Sequence, residues 1–457
     1  MLIHTLLATL LFPATPQEPA EKVTPGEAAA TSILDVQLNT FTESSQDNVS
    51  LGQAPDGTFV TVWHSRRQEG GTYGIRARLI SPDGETLTGE VAVNETVEGM
   101  QVEPSLSVGP SGAAWFAWVS RGQDGDGDGV YARRFSNTLE GATAEVRVNE
   151  SVEGDQSEPS IVALDDGRAI CVWSGPAPAA ADERQGHERA IFARVLGADG
   201  VPTTPSITLG GDSAFSYRTP AAVGYGDGAM VAVSSHDDAG VPTGIFAVAI
   251  DGSGKASEAV RIDGGLAGVL PVEPSLSAAD GRVAFAWLEA QKGDSSGEYA
   301  IRWRNLVAEE SSTLGSLTEI QSVDAPEAGY TSGLAVAAQG SKTALLWSRY
   351  LAAENGTPRL YCTVFDEAGE GTGEELSQTT LLATSRATKV EAGKQAMSVG
   401  GAGQRALFTE DGRIAGVWHG DAELGDKSGA HVSLITFEED GERPRICLLY
   451  TSPSPRD

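Results

Sequence analysis

Cysteine is scarce: 457 residues hold three, at positions 171, 362 and 447. That excludes a disulfide-stapled scaffold, and no CxxC pair is present for zinc or thiol exchange. Cys171 (AICVWS) and Cys362 (RLYCTVF) lie inside apolar runs, the setting of small core residues. Positive charge is also scarce. Lys and Arg number 32 against 63 Asp and Glu, a net charge of −31. Such a surface repels nucleic acid and anionic membranes, so neither is expected as a partner. Past the extreme N-terminus no apolar run approaches the ~20 residues of a membrane helix, so no membrane insertion is expected. Sustained helical periodicity is missing. So are GxSxG, a P-loop, HExxH, a Rossmann fingerprint after a strand, and the Asp-box wording of sialidase propellers.

What is present is a repeated phrase. Residues 46–100 and 101–155 align without a gap, Trp63 on Trp118 and VAVN ending at Asn94 on VRVN ending at Asn149, and a third copy begins at Gln156. Each copy holds four short β-branched or aromatic runs bounded by Gly, Asp and Pro. The Trp closing the second run marks the phase at Trp63, Trp118, Trp173, Trp287, Trp347 and Trp418. The double spacing between Trp173 and Trp287 hides one more copy, in which Ser234 is read as the replacement for Trp. The copies then begin near 46, 101, 156, 219, 272, 331 and 400. Four antiparallel strands per unit of about 55–60 residues predict an all-β fold, a seven-bladed β-propeller. Stacked sandwich domains need roughly 100 residues each and do not fit. ILDVQLN at 33–39 matches a fourth run that has no copy of its own, and the seventh copy stops after its third run. The N-terminal strand is therefore expected to close the last blade, leaving no open sheet edge.

The termini carry other expectations. Residues 1–17 read as a signal peptide with Leu6 to Phe12 as its apolar core, although the usual basic start is missing. Residues 18–32 read as a disordered leader rich in Pro, Ala and Glu. Residues 447–457, CLLYTSPSPRD, resemble the translation of a sequencing adapter and are treated as an artefact, so the natural chain is expected to continue past 446. The propeller is thus assigned to 33–446. The wording PS(L/I), DG, WxS, G(V/I)YARRF, VxVN resembles tandem repeats of secreted bacterial β-propeller proteins, strongly in the second copy and weakly from the fourth onward. The resemblance implies a secreted, periplasmic or cell-surface protein; separately, a monomer or part of a larger chain is expected. It brings no catalytic motif.

Few constellations carry chemistry. Asp124, Asp126 and Asp128 alternate with Gly in the turn between the second and third runs of copy two, the core spelling of a calcium loop. The closing Glu of such a loop is replaced by Phe135, and the alternative is a solvated turn. Glu103, Glu158 and Glu273 each precede the Pro-Ser that opens a first strand. First strands line the channel, so these carboxylates are candidates to ring one mouth and hold a ligand. His64 and His419 follow the marker Trp in blades that closure makes neighbours, a weak hint of metal without a third ligand. The marker Trps read as core. Asn94 and Asn149 match a glycosylation spelling only because the repeat recurs.

Three functions are compatible with this reading. The first is a non-enzymatic binding or adhesion module for a glycan or protein ligand. The second is a secreted carbohydrate-active hydrolase or lyase with carboxylates at the channel mouth. The third is a structural spacer of a longer surface protein. Carboxylates converging at the mouth beside an Arg or Tyr distinguish the second from the others.

Overall fold

The computed structural model describes residues 33–68, 72–177, 189–209, 216–291, 299–309, 312–323, 329–351, 357–365, 380–384, 406–420 and 429–435. Within them every regular element is a strand. The strands form seven separate antiparallel sheets, the seven blades of a β-propeller. Blade 2 shows the pattern: Gln101–Val108, Ala114–Arg121, Asp128–Phe135 and Val146–Arg147 pair in sequence order. The first strands of the other blades are Gln46–Gln53, Ser157–Ala163, Ser216–Tyr225, Val269–Ala279, Gly329–Gln339 and Ala406–Phe408. Blade 5 adds a fifth strand, with Ser312–Leu317 and Gln321–Val323 both pairing Ala300–Glu309.

The ring closes as its ends predict. Ile33–Gln37 lies antiparallel to Gly429–Ile435, Ile33 opposite Ile435 and Gln37 opposite His431. Asp35 fixes this register by accepting from Ser433 at 2.9 Å and lying 3.0 Å from the His431 ring. The expectations for 1–32 and 436–457 lie outside the described residues.

The repeated words each perform one task. The Asn ending VxVN is buried and accepts the backbone N–H that opens the third strand of its blade: Asn94 from Ile75, Asn149 from Val130, and Asp263 from Ile245 in blade 4. Asn39 does the same for Ala430, so the closing strand uses the lock of an ordinary fourth strand. The glycosylation spelling is therefore a buried structural contact. The marker Trps at 63, 118, 173, 287 and 347 are fully buried. In the first three blades the indole N–H donates to Gln46, Gln101 or Gln156, which satisfies a polar atom that burial would otherwise leave costly.

Blade 4 replaces this pair. Register places Val233 opposite Phe246, as Trp118 is opposite Tyr131, so Val233 and not Ser234 holds the marker position. The matching Gln position is Tyr217, which packs in the same core cluster as Val233. The aromatic ring has moved from the second strand to the first, and the space between blades stays filled.

Because neighbouring blades share no ladder, side chains tie them. Arg78, Arg133 and Arg194 reach back to the carbonyls of Leu38, Val93 and Val148 at 2.6, 3.1 and 2.8 Å. Arg304 repeats the contact on Ile262. On the inner strands, Ser105, Ser160 and Ser275 accept N–H groups of the next blade from Ile161, Ala222 and Val336. Cys171 and Cys362 are unpaired and buried, and burial pushes both thiols far up.

Two outcomes are expected. Deleting residues 33–39 uncovers the edge of Gly429–Ile435, so thermal melting should shift down and size-exclusion chromatography should show association. An unchanged monomeric profile would contradict closure. Cys171 and Cys362 should resist a thiol reagent in the folded protein and react in denaturant.

Candidate site at the channel mouth

Strands alternate in direction within a blade, so the turns between second and third strands share one face with the links from fourth to first strands. On that face each of the first six inner strands carries a bulge. The bulged residue is left-handed every time: Asn48, Glu103, Glu158, Thr219, Glu273 and Gly333, with φ between 49° and 64°. For a residue with a side chain this conformation costs about 1–2 kcal/mol, so neighbouring contacts must hold it. Pro104, Pro159, Pro220 and Pro274 follow, and a bulge is where an inner strand tolerates a residue without an N–H.

The carboxylates are part of the restraint. Glu103 Oε2 accepts the backbone N–H of Glu158 at 2.9 Å, and Glu158 Oε2 accepts that of Thr219 at 2.9 Å. Glu103 and Glu158 are therefore brought together on adjacent blades, both half-buried. Glu273 occupies the equivalent position in blade 5 and is exposed.

Cations that the sequence analysis did not single out complete the mouth. Arg189, at the start of the third strand of blade 3, donates to Ser174 at 2.8 Å, Ser157 at 2.6 Å and the Asp155 carbonyl at 3.2 Å. Burial pulls its guanidinium below the usual range, against the fields of Glu158, Asp155 and Glu103. Arg218 stands just before the blade 4 bulge, close enough to Arg189 for their charges to interact. The signal for Arg218 was legible: copy four reads RTPAA where copies two and three read VEPSL and SEPSI.

Electrostatics single out Glu103. Burial is the largest cause that pushes its carboxyl above the usual range. The Glu158 charge adds to this, while the Glu158 N–H and His64 oppose it. His64 is buried on the second strand of blade 1, its ring edge-on to Tyr73 at 5.1 Å and Nε2 3.8 Å from Asp47. The side chains of Trp418 and His419 fall outside the described residues.

The acidic turn is divided among partners. Asp124 accepts from Asn149 Nδ2 at 2.9 Å, Asp126 from the Gly154 N–H at 3.2 Å, and Asp128 pairs with Arg121 at 2.9 Å. Among the described residues no group of three or more His, Cys, Asp or Glu side chains gathers at metal-binding separation. Beside this turn a cavity of about 620 Å³ opens between blades 2 and 3, lined by Asp124, Tyr131, Asn149 and Arg194. Burial and the Asp124 charge push the Tyr131 hydroxyl up to about 12.

No protein-family model and no curated protein sequence matches the chain. Several solved structures are similar in fold. A protein of unknown function from Dyadobacter fermentans is 11% identical over 73% of this chain and 99% of its own, with a TM-score of 0.48. The acylaminoacyl peptidase of Pyrococcus horikoshii is 13% identical over 90% of this chain and 54% of its own, at 0.46. The α-L-arabinofuranosidase Arb93A of Fusarium graminearum is 10% identical over 90% and 98%, at 0.41. Similarity at this level bears on the fold. The non-enzymatic binding or adhesion module expected from the sequence is not upheld. The mouth gathers the carboxylate pair and guanidinium groups that were expected to distinguish the hydrolase alternative from it.

The raised Glu103 carboxyl has a consequence for stability. Its contribution is fully present below the unfolded value near 4.5 and is lost as pH rises through the folded value. Glu103→Gln keeps an acceptor for the Glu158 N–H and removes the buried charge. It should melt higher than the parent at pH 8, with the gap closing toward pH 4. A gap that widens toward acid would contradict the burial argument.

Proposed function

We propose that this chain is a secreted carbohydrate-active hydrolase whose reaction centre is the channel mouth at blades 2 to 4. The observation that carries the reading is the Glu103–Glu158 pair, two carboxylates on adjacent blades of which one is held in favour of its protonated form by burial. Glycoside hydrolysis uses two carboxyl groups in different environments, one giving a proton and one acting as nucleophile or base. Glu103 is the proton donor to the leaving oxygen, and Glu158 is the second carboxylate. Each has one oxygen committed to a backbone N–H, which fixes its direction and leaves the other oxygen for substrate. The apolar segment Leu6 to Phe12 supports export.

The test is release of reducing ends from a panel of neutral and acidic polysaccharides. The parent should cleave at least one, and Glu103→Gln and Glu158→Gln should each lower the rate by roughly 100-fold or more while melting as folded proteins. Because the donor must be protonated, kcat/KM should fall as pH rises through the Glu103 value. Absence of cleavage across the panel, or full activity in either variant, would overturn the proposal.

A further inference from the structure

Blade 4 departs from the repeat at one place above all. At its inner mouth, Thr219 stands where blades 2, 3 and 5 carry Glu103, Glu158 and Glu273, and Ala221 where they carry Ser105, Ser160 and Ser275. Tyr217 and Val233 replace the Gln–Trp pair. Between Tyr217 and Thr219 sits Arg218, at a position held by Asp47, Val102, Ser157, Val272 and Ser332 in blades 1, 2, 3, 5 and 6. Blade 4 thus has no carboxylate at its bulge and carries a cation one residue before it.

Arg218 is half-buried, and its Nε is buried without a hydrogen-bond partner. It makes no ion pair among the described residues, although the protein carries an excess of 31 negative charges. Its neighbours add to the imbalance. Arg189 is a second cation within electrostatic reach, and His236 lies close enough to feel the Arg218 charge, with its Nδ1 also buried and unpartnered. The backbone is held in place: Ser234 donates to the Arg218 carbonyl at 3.1 Å and lies 2.7 Å from the Thr219 hydroxyl. A cation removed from water without a counter-ion is costly, and an arriving anion relieves that cost. The planar guanidinium suits a carboxylate, which it can bind with two parallel hydrogen bonds. At physiological salt the overall negative charge is screened beyond about 8 Å, so the local cation decides what enters.

We infer that Arg218 is the receptor for a substrate carboxylate, and that the glycan taken at this mouth carries a uronic acid. The inference rests on the hydrolase reading for its glycan, and Glu158 provides the geometric link, since its carboxylate is bonded to the residue after Arg218. The mouth then reads one anionic sugar by its charge while Glu103 and Glu158 face the bond beside it.

The test is direct binding, measured by isothermal titration calorimetry with glucuronate and galacturonate, with glucose, galactose and acetate as controls. It is run on the parent and on Arg218→Gln and Arg218→Lys, each first shown to melt as a folded protein. At least one uronate should bind the parent at least tenfold more tightly than its neutral sugar and than acetate. Arg218→Gln should lose roughly tenfold or more, and Arg218→Lys should recover part of it. Equal binding of uronate and neutral sugar, equal binding of acetate, no binding of either uronate, or unchanged binding in Arg218→Gln would each overturn the inference. Because the monosaccharides hold no glycosidic bond to cleave, binding is read apart from turnover, and failure of the hydrolase reading and failure of the uronate reading are seen separately.

Discussion

The structure depends on holding seven sheets that do not hydrogen-bond to one another through their ladders. Backbone pairing ends at the edge of each blade, so the ring is maintained by apolar packing and a small set of polar ties. The ties run both ways. Arginines on third strands reach back to the previous blade, and serines on first strands receive N–H groups from the next. These contacts lie between packed faces, where a satisfied hydrogen bond is strong and an unmade one is expensive. The conserved-looking phrase is mostly this set of ties.

The same constraint shapes the mouth. Each bulge turns the chain into a left-handed residue, and in blades 2 and 3 a glutamate at that residue caps the bulge of the next blade. A structural restraint and a pair of oriented carboxylates are therefore the same groups. Chemistry at this site asks little extra of the fold, because the ring already places acidic side chains at the bulges of blades 2, 3 and 5. What distinguishes one mouth from another is the blade that breaks the pattern.

The architecture was legible because packing repeats. The marker Trp, its Gln partner and the Asn lock recur at one spacing, and a recurring contact leaves a recurring letter. The stray strand at 33–39 was legible for the same reason, since Asn39 spells the lock. Legibility failed where geometry and not composition decides. Reading Ser234 as the lost Trp was one residue off, because only strand register shows Val233 opposite the bulge and Tyr217 filling the vacated space. The glutamates could be named as channel residues, but their left-handed backbone and their grip on the next blade have no sequence signature. Arg189 and Arg218 were passed over because the repeat degrades there: RTPAA in place of VEPSL and SEPSI is visible, but a weak match reads as noise until the fold shows that the mismatches share one place.

The closing strand also sets the order of events in synthesis. Ile33 pairs with Ile435, so the closing strand waits for the rest of the ring before it finds its partner. Blades 1 to 6 are built from local hairpins and can form as they emerge, whereas closure is the contact of longest sequence separation and enters last. During that interval the segment around Val36 and Leu38 is an unpaired apolar strand beside an incomplete ring. Propeller assembly here is thus a race between closure and capture of that strand by another chain.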